Sequence, residues 1–367
     1  ARYHDLLQAP NMSTLIAQMA DLLYRTPTAQ RSIPLLQEII HSHDFSKINI
    51  LDRIRLKAVA HLAHLLPQLS LGMMQSVMRK SIEKLLISDT GNANAHIAEK
   101  SNEGLQLTIN PAGEEIISDK DAKNFIRICK EYLSSDSVQR ISIKLSQLHR
   151  YTSGPSGLAK REQLIQELTA LYKVAMENPV TENTGYNHHL QLPHKLITLD
   201  MEAYADLELS MSVFKDCLDQ DELLDYSAGI VVQSYLPDSG VIMKELLEWS
   251  QARVARGGAP VYIRLVKGAN LNMEKVNAET HGWDSPCFDS KLDSDANFKY
   301  LLKYAIGYAQ TRDCYLGVGT HNLFDIAYAL LLSEKYQVQN AVSIETLYGM
   351  SNGIDKVAQI LSKDSWV

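Results

Sequence analysis

Cysteine is scarce in this chain: there are four residues among 367, Cys129, Cys217, Cys287 and Cys314, and no two of them form a CxxC pair. That scarcity excludes a disulfide framework and a cysteine zinc site, and it suits a reducing compartment where the thiols serve as packing residues. Long apolar runs are missing too. Nothing approaches the roughly 20 apolar residues that cross a bilayer, and the N-terminus has no charged-then-apolar secretion pattern. The expected location is therefore the cytoplasm, with at most a peripheral contact to the inner membrane. Positive charge is not in excess: 36 Lys and Arg against 43 Asp and Glu leave a net charge of -7, which argues against a nucleic-acid surface. Neither GxGxxG after a strand nor GxxxxGK[ST] occurs. A dinucleotide, if bound, must be held without a glycine-rich phosphate turn.

What is present falls into two textures. From about Ser13 to Ser88 the segments STLIAQMADLLYR, AQRSIPLLQEIIHSH and LDRIRLKAVAHLAHLLPQL place apolar residues three and four apart, which predicts helices. RKSIEKLL within this region reads as a solvated helix face. After the polar stretch SDTGNANAHIAEKSNEG come short β-rich runs: LQLTIN (105–110), RISIKLS (140–146), KLITLD (195–200), GIVVQSY (229–235), VYIRLVKG (261–268), YLGVGTHN (315–322) and AVSIETLYG (341–349). Helical patterns such as LAKREQLIQELTALYKVAME and SGVIMKELLEWSQARVARG lie between them. Repeated strand-then-helix units imply a parallel sheet covered by helices, and seven in series favour a (βα)8 TIM-type barrel over an open sheet. The chain stops at KDSWV as if an eighth strand were about to begin, so the last strand and helix are expected to be missing. The expected division is a helical region over 1–100 and a barrel, incomplete at its C-terminus, over 101–367.

Side chains alternate across a strand, so parity sorts each run into two faces. Ser142, Lys144 and Ser146 share one face of RISIKLS, opposite Ile141 and Ile143. The same test groups Thr198 with Asp200, Val231 with Gln233, Tyr262 with Arg264 and Val266, and Gly317 and Gly319 with His321. Barrel active sites are assembled at the C-terminal ends of the strands, which makes Lys144, Asp200, Gln233, Arg264 and His321 a candidate site. Burying several charges costs free energy unless they are paired or used. His188, His189 and His194 in HHLQLPH splay apart on an extended loop and are not expected to bind metal; TSGPSG (152–157) reads as a flexible turn.

SIKLSQLHRY (142–151), RLVKGAN (264–270), GVGTHN (317–322) and ETLYGM (345–350) resemble, in order and spacing, the signature segments of the proline dehydrogenase family; LTINPAGEE (107–115) is a weaker match. The resemblance runs from about Gly104 to the C-terminus. The helical region is similar to that preceding the barrel in bifunctional proline utilization A, though no aldehyde dehydrogenase or ribbon-helix-helix segment is present. The resemblance implies a barrel that binds FAD, oxidises L-proline to Δ1-pyrroline-5-carboxylate and passes electrons to a membrane quinone. It places Lys144, Asp200 and Arg264 in catalysis, with Arg264 against the flavin ring near N5. It places Lys144, Asp200, Tyr348 and Glu114 at the substrate, and it gives the cofactor Gln233, Arg264, Val266, Lys267, Gly268, Ala269, Lys291, Thr320, His321 and Asn322.

The chemistry agrees with these residue types. Hydride transfer to N5 places negative charge on the N1–C2 region of the flavin, and a nearby cation stabilises that product and raises the reduction potential. Lys144 could either hold the substrate carboxylate as an ammonium or, with a depressed pKa, take the proton from the proline nitrogen. Three departures from the family stand out. Asn110 replaces an aspartate, Asn270 and Leu271 replace aromatic residues, and Val367 precedes the tyrosine and arginine pair that clamp the substrate carboxylate. Weak proline binding by this polypeptide is the corresponding expectation. Two other readings remain open: a barrel aldolase using Lys144 or Lys267 as a Schiff base, and a catalytically silent barrel.

Overall fold

In the computed structural model the chain divides into two compact units, Ala1–Ser88 and Asp89–Val367. The structure describes residues 90–102, 105–111, 116, 118–149, 160–180, 192–348, 352–362 and 365–366, with only Pro34, Leu35 and Glu38, all helical, in the first unit. The helices expected before Ser88, the TSGPSG turn, Glu114, His188 and His189 lie outside the described residues.

The second unit opens with helix α1 (Thr90–Asn102) and then alternates strand and helix. The order is β1 (Thr108–Ile109), α2 (Asp119–Leu133), β2 (Arg140–Lys144), α3 (Arg161–Glu177), β3 (Leu196–Asp200), α4 (Leu207–Leu218), β4 (Gly229–Gln233), α5 (Ser239–Ala255) and β5 (Val261–Val266). It continues with α6 (Leu271–His281), α7 (Lys291–Gln310), β6 (Cys314–Gly319), α8 (Leu323–Lys335), β7 (Val342–Glu345), α9 (Asn352–Leu361) and β8 (Ser365–Trp366). All seven expected β-runs are strands. They pair in parallel in sequence order, as right-handed βαβ crossovers dictate.

One expectation needs correcting. The eighth strand is not missing: Ser365 and Trp366 pair with Ile344 and Glu345 of β7, and Trp366 also bridges in parallel to Gln106. The sheet thus curls round until its last strand meets the segment leading into its first. SDTGNANAHIAEKSNEG is also more than a polar stretch, because α1 occupies most of it. Among the described residues Ala93 and Ile97 are its buried apolar anchors, and Asn94 Oδ1 accepts hydrogen bonds from Ser135 and Ser137, each at 2.8 Å.

Local sequence explains the helix ends. Ser118, Ser290 and Asn322 cap α2, α7 and α8, their side-chain oxygens accepting from the backbone N–H of Asp121, Asp293 and Phe324. Helix α6 stops at Gly282, whose φ of 68° suits a residue without Cβ. α2 buries Ala122, Phe125, Ile126, Cys129, Tyr132 and Leu133, a stripe at helical spacing. The four cysteines are buried and unpaired; burial pushes the Cys129 thiol up to about 12. Among the described residues no helix is long and apolar enough to cross a membrane.

The outer layer carries a buried charge at the end of α5. Arg253 of α5 is fully buried and donates to the carbonyls of Leu218, Leu223, Leu224, Tyr226 and Ala259. It ties the α4–β4 connection to the end of α5. Arg253→Met is expected to strand several of those carbonyls and lower the unfolding free energy by at least about 3 kcal/mol. Urea denaturation measures the loss, and a change below about 1 kcal/mol would show that the carbonyls find other donors.

Candidate active site

Four strands end on a polar side chain: Lys144 on β2, Asp200 on β3, Gln233 on β4 and Glu345 on β7. Strand register sets their heights. Lys144 stands beside Asp200, while Gln233, Val266, Gly319 and Glu345 form a second row. Arg264 lies one inward-facing position deeper, in register with Val231 and Gly317.

Arg264 is the centre of this arrangement. Its Nη1 donates to Asp200 Oδ1 at 2.8 Å and to Ser142 Oγ at 2.9 Å, and its Nε lies 2.6 Å from Glu345 Oε2. The Tyr262 hydroxyl donates to Glu345 Oε1 and sits 2.7 Å from Ser343 Oγ. Below, Arg140 Nη1 donates to the Tyr262 hydroxyl at 3.3 Å and lies 4.0 Å from Glu345 Oε1, with its guanidinium stacked 3.6 Å over the Trp366 ring. Two cations and two carboxylates thus balance within the barrel, each with charged or hydrogen-bonding neighbours, as buried charges require.

The fields are consistent with that geometry. Burial opposes the Arg264 charge, yet Glu345 and Asp200 outweigh it and hold the guanidinium more firmly protonated than usual. Burial raises the Asp200 carboxyl; Arg264 pulls against that rise and Glu345 adds to it, and the net direction is upward. Gly317 makes the cluster sterically possible, because a methyl there would overlap the Tyr262 hydroxyl and Glu345 Oε1.

The remaining predicted residues spread around the mouth. Lys144 Nζ pairs with Glu202 Oε1 at 2.6 Å, and Ser146 Oγ donates to Glu202 Oε2 at 2.6 Å. Gln233 Nε2 reaches the carbonyls of Met201 and Glu202, each at 3.4 Å. Lys267 is held by Asp295 at 2.5 Å and by buried Asp325 at 2.8 Å, and Lys291 shares Asp295 at 2.6 Å. Burial pulls the Lys267 ammonium down, but its two aspartates more than reverse that and leave it raised. Gly268 has φ 122° and lies under the Tyr235 ring, where no Cβ fits. Ala269 is exposed beyond it.

Thr320 is buried, with its N–H on the Glu345 carbonyl. His321 Nε2 accepts from the Leu347 N–H at 2.8 Å, and Asn322 is taken up as the cap of α8. The Tyr348 ring meets His96 of α1 edge-on at 5.7 Å.

Glu345 and Glu202 are the site residues that parity applied to selected strands missed. Extending the test to AVSIETLYG puts Ser343 and Glu345 on the inward face, and Glu202 follows Asp200 at the same parity. A flavin of the kind the resemblance implies meets a fitting donor set here. Two buried polar atoms without a protein partner among the described residues, His321 Nδ1 and Thr346 Oγ1, stand past the ends of β6 and β7. Buried polar atoms of this sort call for a hydrogen-bonding ligand or water.

Known proteins bear on this geometry. The sequence model described as "Proline dehydrogenase" matches residues 93–363. Proline dehydrogenase 1 of Bacillus subtilis (strain 168) is 24% identical over 275 residues, covering 74% of this chain and 76% of the relative. Among solved structures, proline utilization A from Corynebacterium freiburgense is 30% identical, with a TM-score of 0.70, over 88% of this chain and 31% of its own. Proline utilization A from Bdellovibrio bacteriovorus, inactivated by N-propargylglycine, is 21% identical with a TM-score of 0.75 over 98% of this chain and 35% of its own, which speaks to the fold alone. This chain therefore spans about a third of the length of those two solved relatives. With the family match covering most of its length, the chain belongs to the proline dehydrogenase family.

Proposed function

We propose that this barrel oxidises L-proline to Δ1-pyrroline-5-carboxylate with FAD as the first electron acceptor and a quinone as the second. The observation that carries the reading is Arg264, a permanent cation fixed at the barrel mouth by Asp200 and Glu345. Bound FAD would supply a two-electron acceptor for hydride leaving the carbon next to the proline nitrogen. Arg264 would lie against its ring, with Gln233, Thr320 and His321 offering hydrogen bonds. Lys144, paired with Glu202 at the rim, suits the task of holding a substrate carboxylate better than that of accepting a proton. Asp200, next to it in register, would share the substrate subsite with Tyr348. Lys267 serves by tying the exit of β5 to α7 and α8 through Asp295 and Asp325.

The Schiff-base reading fares worse for a physical reason. Imine formation needs a neutral amine, whereas Lys144 is paired with one carboxylate and Lys267 with two.

Purified protein incubated with FAD is expected to turn yellow and to reduce a soluble quinone when proline is added. A protein that takes up no flavin, or that forms a borohydride-trapped adduct with a carbonyl compound, overturns the reading. Lys144→Met is expected to raise the KM for proline about tenfold or more, the equivalent of one charge-assisted hydrogen bond of about 1.5–3 kcal/mol; steady-state kinetics measures it. Arg264→Met leaves Asp200 and Glu345 without their cation and is expected to cost about 3–5 kcal/mol of stability. Arg264→Lys keeps the charge but not the fork, and the expected outcome is a folded protein with a lower flavin-to-protein ratio after gel filtration.

A further inference from the structure

We propose that Glu345 acts as a charge counterweight to Arg264, lowering the reduction potential of the flavin held in this barrel. The inference rests on the flavin reading above and extends it to a residue which that reading leaves without a role toward the cofactor. A lone guanidinium beside a flavin favours the reduced, more negative form. Here Arg264 is not alone. Asp200 touches one side of it and Glu345 the other, at 2.8 and 2.6 Å. Glu345 lies in a buried setting where charge interactions are screened far less than in water. Tyr262 and Ser343 fill the space below it, Arg140 stands 4.0 Å from its Oε1, and Gly317 offers no side chain beside it.

Substitution by glutamine isolates this charge. In Glu345→Gln the amide oxygen can still lie beside Arg264 Nε. The amide NH2 then faces the Tyr262 hydroxyl, which is free to accept it and turn its own proton to Ser343 Oγ. Shape and hydrogen bonding survive while one negative charge goes. Glu345 is a positioning residue in this account, because it acts through Arg264.

The deciding measurement is a spectroelectrochemical titration of the flavin-loaded protein. Glu345→Gln is expected to shift the two-electron equilibrium about tenfold toward reduction, an upward move of about 30 mV, and also to lower the thermal unfolding temperature of the flavin-free protein, because Arg140 and Arg264 lose a shared carboxylate. Tyr262→Phe removes the donor that shares the Glu345 charge and is expected to move the potential the opposite way; it decides the matter should the glutamine variant not fold. A structural role alone would move unfolding and leave the potential in place. Flavin uptake with an unchanged potential in these variants overturns this inference alone, whereas a wild-type protein that takes up no flavin overturns the proposed function with it.

Discussion

The ion pairs that hold Arg264 between Asp200 and Glu345 govern the rest of this barrel's interior. For them to form, β3, β5 and β7 must present the inward parity at compatible heights, and Gly317 of the intervening β6 must have no side chain. A one-residue slip in any of these strands would turn a charge outward into the helical layer and leave its partner buried and unpaired. The cluster therefore specifies register as well as chemistry. It also accounts for the cations in VYIRLVKG. Arg264 sits inside the strand because two carboxylates meet it there, and Lys267 comes after the strand, where the chain turns out to meet Asp295 and Asp325.

Much of this was legible in the sequence, and the limits were physical. The seven strands announced themselves because each is a short β-branched run bounded by polar residues. Parity then brought Asp200 and Arg264 to the same interior, where they are in contact. The pairing choices were not legible. Lys144 stands next to Asp200 in register, yet its ammonium goes to Glu202, a choice that depends on how the chain turns after β3. Helix α1 escaped notice because two buried apolar residues give no periodic signal; it is held by Asn94 to the serines that follow α2. The last strand was anticipated only as a beginning, since no pattern in two residues can show that Trp366 would stack on Arg140.

The lysines illustrate how context separates functions that composition leaves equal. A barrel with an inward lysine is compatible with imine chemistry or with anion binding. What decides between them is whether the amine is already paired with carboxylates, and both candidate lysines are. The same reasoning explains why the mouth tolerates so many ionisable groups: Arg264, Lys144 and Lys267 each face at least one anion fixed by a different element, so these charges brace the chain segments against one another.

The joint between the ends of the sheet has a consequence for access. β5 pairs over five residues with β4 and over six with β6, whereas among the described residues β8 meets the start of the sheet through the bridge from Trp366 to Gln106. Arg140 stacks on Trp366 and also reaches toward Glu345. Parting that joint would withdraw the ring beneath the guanidinium and change the charge felt above it, so the closure of the sheet is wired to the ionic centre of the barrel.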